Sequence, residues 1–160
     1  MFIKNAWYVC AEPEEITDKP LARTICNEKI VFFKTEDGSV SAFEDRCCHR
    51  RMPLSKGHVI GDRLQCFYHG LEFDKSGQCV HVPGQSTIPP GAEVRAYPIV
   101  NKYNWIWIWM GDPALANEDE IPAYPWKTMD DWGDKGTYFY VKCDYRLIID
   151  NLLDLSHLAF

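Results

Sequence analysis

The sequence predicts a mainly β protein, an antiparallel β domain with a single helical stretch near its C-terminal end. Three observations carry that prediction. Apolar residues come in strand-length runs, such as Ile30, Val31, Phe32 and Phe33, rather than at helical spacing. Turn-forming clusters separate the runs, notably Glu36, Asp37, Gly38, Ser39 and then Asp74, Lys75, Ser76, Gly77. No amphipathic helical pattern occurs before Arg146.

Taken in order, Asn5, Ala6, Trp7, Tyr8 and Val9 open as a short strand, and Glu12, Pro13, Glu14 and Glu15 turn the chain. Residues 22–34 alternate towards β, and the turn at 36–39 sends residues 40–43 back against them. That return leads into a loop holding Cys47, Cys48, His49 and Arg50. Residues 53–59 read as loop and turn, and residues 63–66 as a strand running into a second loop with Cys66, Phe67, Tyr68, His69 and Gly70. Residues 71–73 and 78–80 form another hairpin, and residues 82–91 a loop broken by prolines and glycines. In the next run Trp105, Trp107 and Trp109 fall on one strand face and Ile106, Ile108 and Met110 on the other. Both faces are apolar, so this strand is expected to be central or covered on both sides, with the tryptophans in the core rather than stacked on a cofactor. Residues 113–136 turn to acids, prolines and aromatics and read as a linker over a surface. Residues 137–145 read as a new strand, feeding a helix over 146–160.

A chain of 160 residues makes one ordinary domain and is short for two. The net charge of −6, with lysines and arginines scattered, argues against nucleic acid or an anionic membrane as partner. No run has the length of a transmembrane helix, and the N-terminus is not a signal peptide. Seven cysteines without a secretory segment fit a reducing, cytoplasmic setting. Of these, Cys10, Cys26, Cys79 and Cys143 lie in strand-like surroundings and are expected to be small buried hydrophobes.

The chemistry lies in the two loops. Cys47 and His49 form a Cys-x-His pair, and Cys66 and His69 a Cys-x-x-His pair. Two soft thiolates can hold one iron of a [2Fe–2S] cluster while two imidazoles hold the other, which defines a Rieske centre. Each loop contributes one ligand of each kind, so each can reach both irons. A zinc site is the alternative, but zinc pairs usually leave two to four residues between ligands and Cys-x-His leaves one. His58 and His81 sit at no ligand spacing and read as surface or structural histidines; Arg50 reads as solvated.

The pattern Cys-x-His-Arg followed by Cys-x-x-His-Gly resembles the Rieske domain of Rieske non-haem iron oxygenases. Respiratory and photosynthetic Rieske proteins add a cysteine to each loop and a serine after the second His-Gly; here Phe67, Tyr68 and Leu71 stand in those regions. The resemblance therefore implies fewer hydrogen bonds to the cluster sulfurs and a lower potential. Cys48 departs from the oxygenase pattern, which usually has proline there, and reads as a bystander.

A second motif follows. Asn151, Asp154 and His157 are spaced i, i+3, i+6, one polar stripe on an otherwise apolar helix. They resemble the Asn-x-x-Asp-x-x-His segment opening the catalytic domain of Rieske oxygenases. By that resemblance His157 is one ligand of a mononuclear Fe(II) held by two histidines and a carboxylate. Asp154 is the bridge carrying electrons from a neighbouring subunit's Rieske histidine, and Asn151 supports it. The fold implied is a Rieske [2Fe–2S] antiparallel β-sandwich over residues 1–112, with cluster loops at about 46–72. A linker over 113–136 and the first strand and helix of an α+β, helix-grip-like catalytic domain over 137–160 complete it. The second histidine and the carboxylate are absent before Phe160, so the chain is expected to be part of a longer enzyme, not catalytically competent alone.

Residues 5–9, 19–23, 25–32 and 144–152 resemble, within that family, the oxygenase components of vanillate O-demethylases. The resemblance implies an aromatic monooxygenase that O-demethylates a methoxylated aromatic acid such as vanillate, using O2. Electrons would come from NAD(P)H through a flavin and iron–sulfur reductase or ferredoxin, and the assembly would be a homotrimer. Two other classes stay open: a stand-alone Rieske ferredoxin-like electron carrier, which leaves the C-terminal motif without a purpose, and a zinc-stabilised binding module.

Overall fold

Turn chemistry cuts the chain into ten short strands among the described residues: β1 (Ala6–Ala11), β2 (Leu21–Ile25), β3 (Glu28–Lys34), β4 (Val40–Glu44), β5 (His58–Ile60), β6 (Arg63–Gln65), β7 (Glu72–Phe73), β8 (Cys79–His81), β9 (Ile99–Lys102) and β10 (Trp105–Met110). The computed structural model describes every residue except Asp134, Thr137, Tyr138 and Phe160, and omits the side chains of His157 and Ala159. Its two compact units are Met1–Met129 and Asp130–Phe160.

In the first unit every strand pairing is antiparallel. The sheets are β1-β10-β9, β2-β3-β4 and β5-β6-β7-β8. The run over 22–34 is two strands, not one. Cys26 and Asn27 both take positive φ, 51° and 64°, and close β2 onto β3. Tyr103 and Asn104 do the same between β9 and β10, with φ of 58° and 55°. Two successive left-handed residues make the hairpin turn whose twist matches the flanking strands, and asparagine tolerates it well. Cys26 is therefore a half-buried turn residue rather than a buried strand residue. The segment expected to be loop over 53–59 also contains β5, which pairs with β6 through His58 and Gln65.

Strand β3 organises the packing, because its residues Ile30, Val31, Phe32 and Phe33 are all fully buried. Side-chain alternation splits them between two cores. Ile30 and Phe32 join Ile16, Ile106, Ile108 and Met110 against the β1-β10-β9 sheet. Val31 and Phe33 join Phe43, Leu54, Leu64 and Phe73, and this second core also contains Cys47 and Cys66. Burying each such side chain contributes roughly 1.5–3 kcal/mol. The two ligand loops are thus seated on a packed core rather than tethered to a surface.

Strand β10 is central in its sheet, as its two apolar faces require. Its tryptophan face is covered by Trp7, whose ring meets Trp109 edge-on at 5.4 Å, and by Tyr124, which stacks on Trp107 at 6.1 Å. Lys127 lies over Trp105 at 4.4 Å. The Trp7 indole N–H donates to the Asn117 carbonyl at 2.8 Å. Segment 113–128, with three single-turn 3-10 helices, therefore lies on the indole surface.

The second unit contains α1 (Tyr145–Leu153). Asp144 caps it, accepting the Arg146 backbone N–H at 3.0 Å and pairing with the Arg146 guanidinium at 2.9 Å. These bonds hold the Asp144 carboxyl at about 2, below its usual range. A depressed carboxyl stabilises the fold above its unfolded pKa and ceases to do so as pH falls through the folded value. The helical circular dichroism of α1 is accordingly expected to be flat above about pH 4 and to fall towards pH 2.

The helix expected over 146–160 stops early. Asp154 is its C-cap, with φ −86° and ψ 95°, and Ser156–Ala159 form a separate 3-10 turn. The Asp154 carboxylate accepts from the Ser156 N–H at 3.0 Å and from its hydroxyl at 2.6 Å, and this local turn competes with another helical bond. Asn151, Asp154 and residue 157 consequently occupy helix, cap and turn instead of one helical stripe. Of the strand expected over 137–145, Thr137 and Tyr138 lie outside the described residues, and described residues 139–144 carry no ladder. Cys143 is exposed there, against expectation. Among the described residues, no helix is long and apolar enough to cross a membrane.

Candidate metal centre

The two loops are built alike. In the first, the Cys47 N–H donates to the Met52 carbonyl at 2.8 Å, and the Arg51 N–H returns to the Cys47 carbonyl at 2.9 Å. In the second, the Cys66 N–H donates to the Leu71 carbonyl at 2.8 Å, and the Gly70 N–H returns to the Cys66 carbonyl at 3.0 Å. Each closure puts a left-handed residue four places after the cysteine, Arg51 with φ 58° and Gly70 with φ 73°. Glycine is favoured at the second, where a Cβ would also stand 2.9 Å from the Pro83 ring.

The closures face each other. Cys47 and Cys66 are 1% and 2% exposed and lie in the same buried cluster. His49 and His69 are exposed, with ring centroids 4.6 Å apart. Tyr68 packs against His69 at 3.8 Å, so the imidazoles sit in an aromatic rim that also includes exposed Phe67. Sulfur pairs inward and nitrogen pairs outward.

Burial pushes the Cys47 thiol up to about 12, and the adjacent Cys66 adds to that. A thiol raised in this way stays neutral near neutral pH unless a bound cation takes its proton's place. Among the described residues, no three Cys, His, Asp or Glu side chains converge on one metal position. A two-iron cluster takes a thiolate pair on one iron and an imidazole pair on the other. The donor set and its division into pairs fit the cluster.

Of the other candidates, Cys48 is exposed and lines an open pocket of about 410 Å³ with His49, Leu71, Val82 and Gln85. Arg50 is exposed. His58 is exposed and meets Phe67 edge-on at 6.2 Å, while His81 is exposed at the end of β8. Neither joins the paired imidazoles. In the second unit Asn151 and Asp154 are exposed, and the bonds from Ser156 hold the Asp154 carboxyl below its usual range. The His157 side chain lies outside the described residues. One residue escaped the sequence reading altogether: Asp45, two positions before Cys47, is buried and bonded to Ser55. No spacing marks it, because its partner is ten residues away and is itself an unremarkable serine.

Comparison with known proteins agrees with this geometry. Residues 6–103 match the family model for the Rieske [2Fe–2S] domain, and residues 141–160 match that for the vanillate O-demethylase oxygenase C-terminal domain. The toluene-4-sulfonate monooxygenase system iron–sulfur subunit TsaM1 of Comamonas testosteroni is 47% identical over the whole of this chain. The oxygenase component of dicamba O-demethylase from Stenotrophomonas maltophilia is 46% identical over 99% of it. A vanillate O-demethylase oxygenase subunit from a Pseudomonas species is 46% identical over 98%. The chain spans 46%, 47% and 44% of those three relatives. The crystal structure of dicamba monooxygenase bound to dicamba superimposes with a TM-score of 0.94 at 46% identity, over 99% of this chain and 48% of that one.

Proposed function

Because the chain belongs to the Rieske [2Fe–2S] family, on the branch of the Rieske non-haem iron oxygenases, we propose that these 160 residues form the electron-transfer part of an aromatic oxygenase. One observation supports this above others: two identically closed loops bring a buried thiol pair and an exposed imidazole pair together. In this reading Cys47 and Cys66 hold one iron from inside and His49 and His69 hold the other at the surface.

Bound there, a [2Fe–2S] cluster supplies one-electron transfer at a potential raised by its two neutral imidazole ligands. The chain's own residues do the rest. The core of Val31, Phe33, Leu54, Leu64 and Phe73 excludes water from the thiolate side. His49 and His69 are exposed, where a partner's acceptor group can bond to them. In the complete protein Asp154 takes that position across a subunit boundary, in a homotrimer. Asn151 supports it, and His157 supplies one ligand of a mononuclear iron.

The substrate is a methoxylated aromatic acid such as vanillate, O-demethylated with O2. Electrons arrive from NAD(P)H through a flavin and iron–sulfur reductase or ferredoxin. Support for the O-demethylase branch comes from the match over residues 141–160 and from the two O-demethylase relatives. All seven cysteines are free, which suits a reducing cytoplasm.

The test is iron and acid-labile sulfide per chain, with an electron paramagnetic resonance spectrum of the reduced protein. About two irons and two sulfides with a Rieske-type spectrum are expected. Zinc without sulfide would overturn the reading.

A further inference from the structure

We infer that Asp45 and Ser55 form a clamp that sets the gap between the two cluster loops, which makes Asp45 a positioning residue for the cluster. The inference rests on the cluster reading above and extends it to residues that touch none of its ligand atoms.

Asp45 follows β4, and its backbone N–H donates to the Lys29 carbonyl at 2.8 Å, which pins the loop entry to β3. Its side chain reaches across the loop. One carboxylate oxygen accepts the Ser55 N–H at 2.7 Å and the other accepts the Ser55 hydroxyl at 2.7 Å. Asp45 is 9% exposed, so both bonds form away from bulk water, and hydrogen bonds to a charged acceptor are among the stronger ones. The loop exit is thereby fastened to the loop entry by a side chain, in addition to the backbone closure between Cys47 and Met52.

Ser55 also connects to the second loop. It sits in the 3-10 turn Leu54–Lys56, whose first residue is fully buried in the core shared by Cys47 and Cys66. The turn ends at Gly57, whose N–H donates to the Leu54 carbonyl at 2.8 Å. A Cβ on Gly57 would stand 2.0 Å from the Gln65 carbonyl oxygen, so the two backbones touch there. Gln65 immediately precedes Cys66, and its pairing with His58 continues the contact. A path of two side-chain hydrogen bonds, one turn and one backbone contact therefore runs from the residues before Cys47 to the residue before Cys66. Any slack in that path appears as a change in the separation of the two thiols and of the two imidazoles.

The test uses the purified chain reconstituted with iron and sulfide, following cluster absorbance under excess chelator and the reduction potential. Ser55→Ala removes one of the two bonds and is expected to speed cluster loss about fivefold and to shift the potential. Ser55→Thr keeps hydroxyl and N–H and is expected to restore both. Asp45→Asn keeps an acceptor for the N–H and offers its amide to the hydroxyl, so it retains the geometry without the charge. With charge-assisted bonds reduced to neutral ones, its cluster is expected to be lost about twofold faster than in wild type. Wild-type kinetics and potential in Ser55→Ala would overturn the clamp, as would wild-type kinetics in Asp45→Asn or loss in Ser55→Thr as fast as in Ser55→Ala. Should Ser55→Ala not fold, the comparison of Asp45→Asn and Ser55→Thr with wild type still decides. A wild-type chain that takes up no cluster counts against the proposed function, not against the clamp.

Discussion

Exchanging His49 or His69 for cysteine is expected to abolish the Rieske-type spectrum and, where a cluster survives, to lower its reduction potential by about 200 mV or more. The cause is charge: a neutral imidazole becomes an anionic thiolate on the iron that takes the electron. Geometry adds to the effect. The imidazoles stand exposed, 4.6 Å apart, while Cys47 and Cys66 lie buried beneath them. A cysteine side chain is shorter than an imidazole, so a thiol at position 69 reaches the same iron only if its loop moves inward. That loop is closed by the Cys66–Leu71 and Gly70–Cys66 backbone bonds, and a Cβ at position 70 would stand 2.9 Å from the Pro83 ring. Loss of the cluster is the outcome where the loop does not yield. An unchanged spectrum and potential in both variants would remove His49 and His69 from the ligand set. Position 49 offers the independent check, since its cysteine adjoins Cys48 and can be compared with a Cys48→Ser background.

Asp154→Asn in the complete enzyme is expected to leave the cluster reducible and to lower turnover by about 100-fold. The substitution is nearly isosteric. The side-chain oxygen of asparagine can still accept the Ser156 N–H, so the cap that ends α1 keeps its local bond. What disappears is the carboxylate, held ionised by its two bonds from Ser156 and free in geometry to accept an imidazole N–H. The readouts separate cleanly: stopped-flow reduction of the cluster by its reductase stays as in wild type, while single-turnover product formation falls. Normal turnover would take Asp154 out of the electron path. A cluster that could no longer be reduced would assign Asp154 to the wrong side of the transfer.

The parts legible in the sequence are those with a short repeat or a short reach. The period of two in β3 and β10, the turn residues at 36–39 and 74–77, and the Cys-x-His and Cys-x-x-His pairs all lie within a few residues. Each is decided by backbone sterics or ligand spacing that operate at that scale. Local competition already strains this limit. The Cys26–Asn27 turn was hidden because both flanking strands continue the same alternation. The helix over 146–160 was overextended because the Asp154–Ser156 turn outcompetes one more helical bond.

The β character and the family were thus legible in the chain alone, and its Cys-x-His and Cys-x-x-His spacing nominates Cys47, His49, Cys66 and His69 as ligands. Folding in three dimensions adds that both loops close by the same pair of bonds, that the cysteines are buried and the histidines exposed, and that segment 113–128 covers the tryptophans of β10. It also decided that a buried aspartate grips a serine across the first loop. The physical reason is separation along the chain. A hydrogen bond between residues 45 and 55, or a contact between Gly57 and the Gln65 carbonyl, leaves no periodic trace in composition. It exists only once the core has fixed which backbones come within reach.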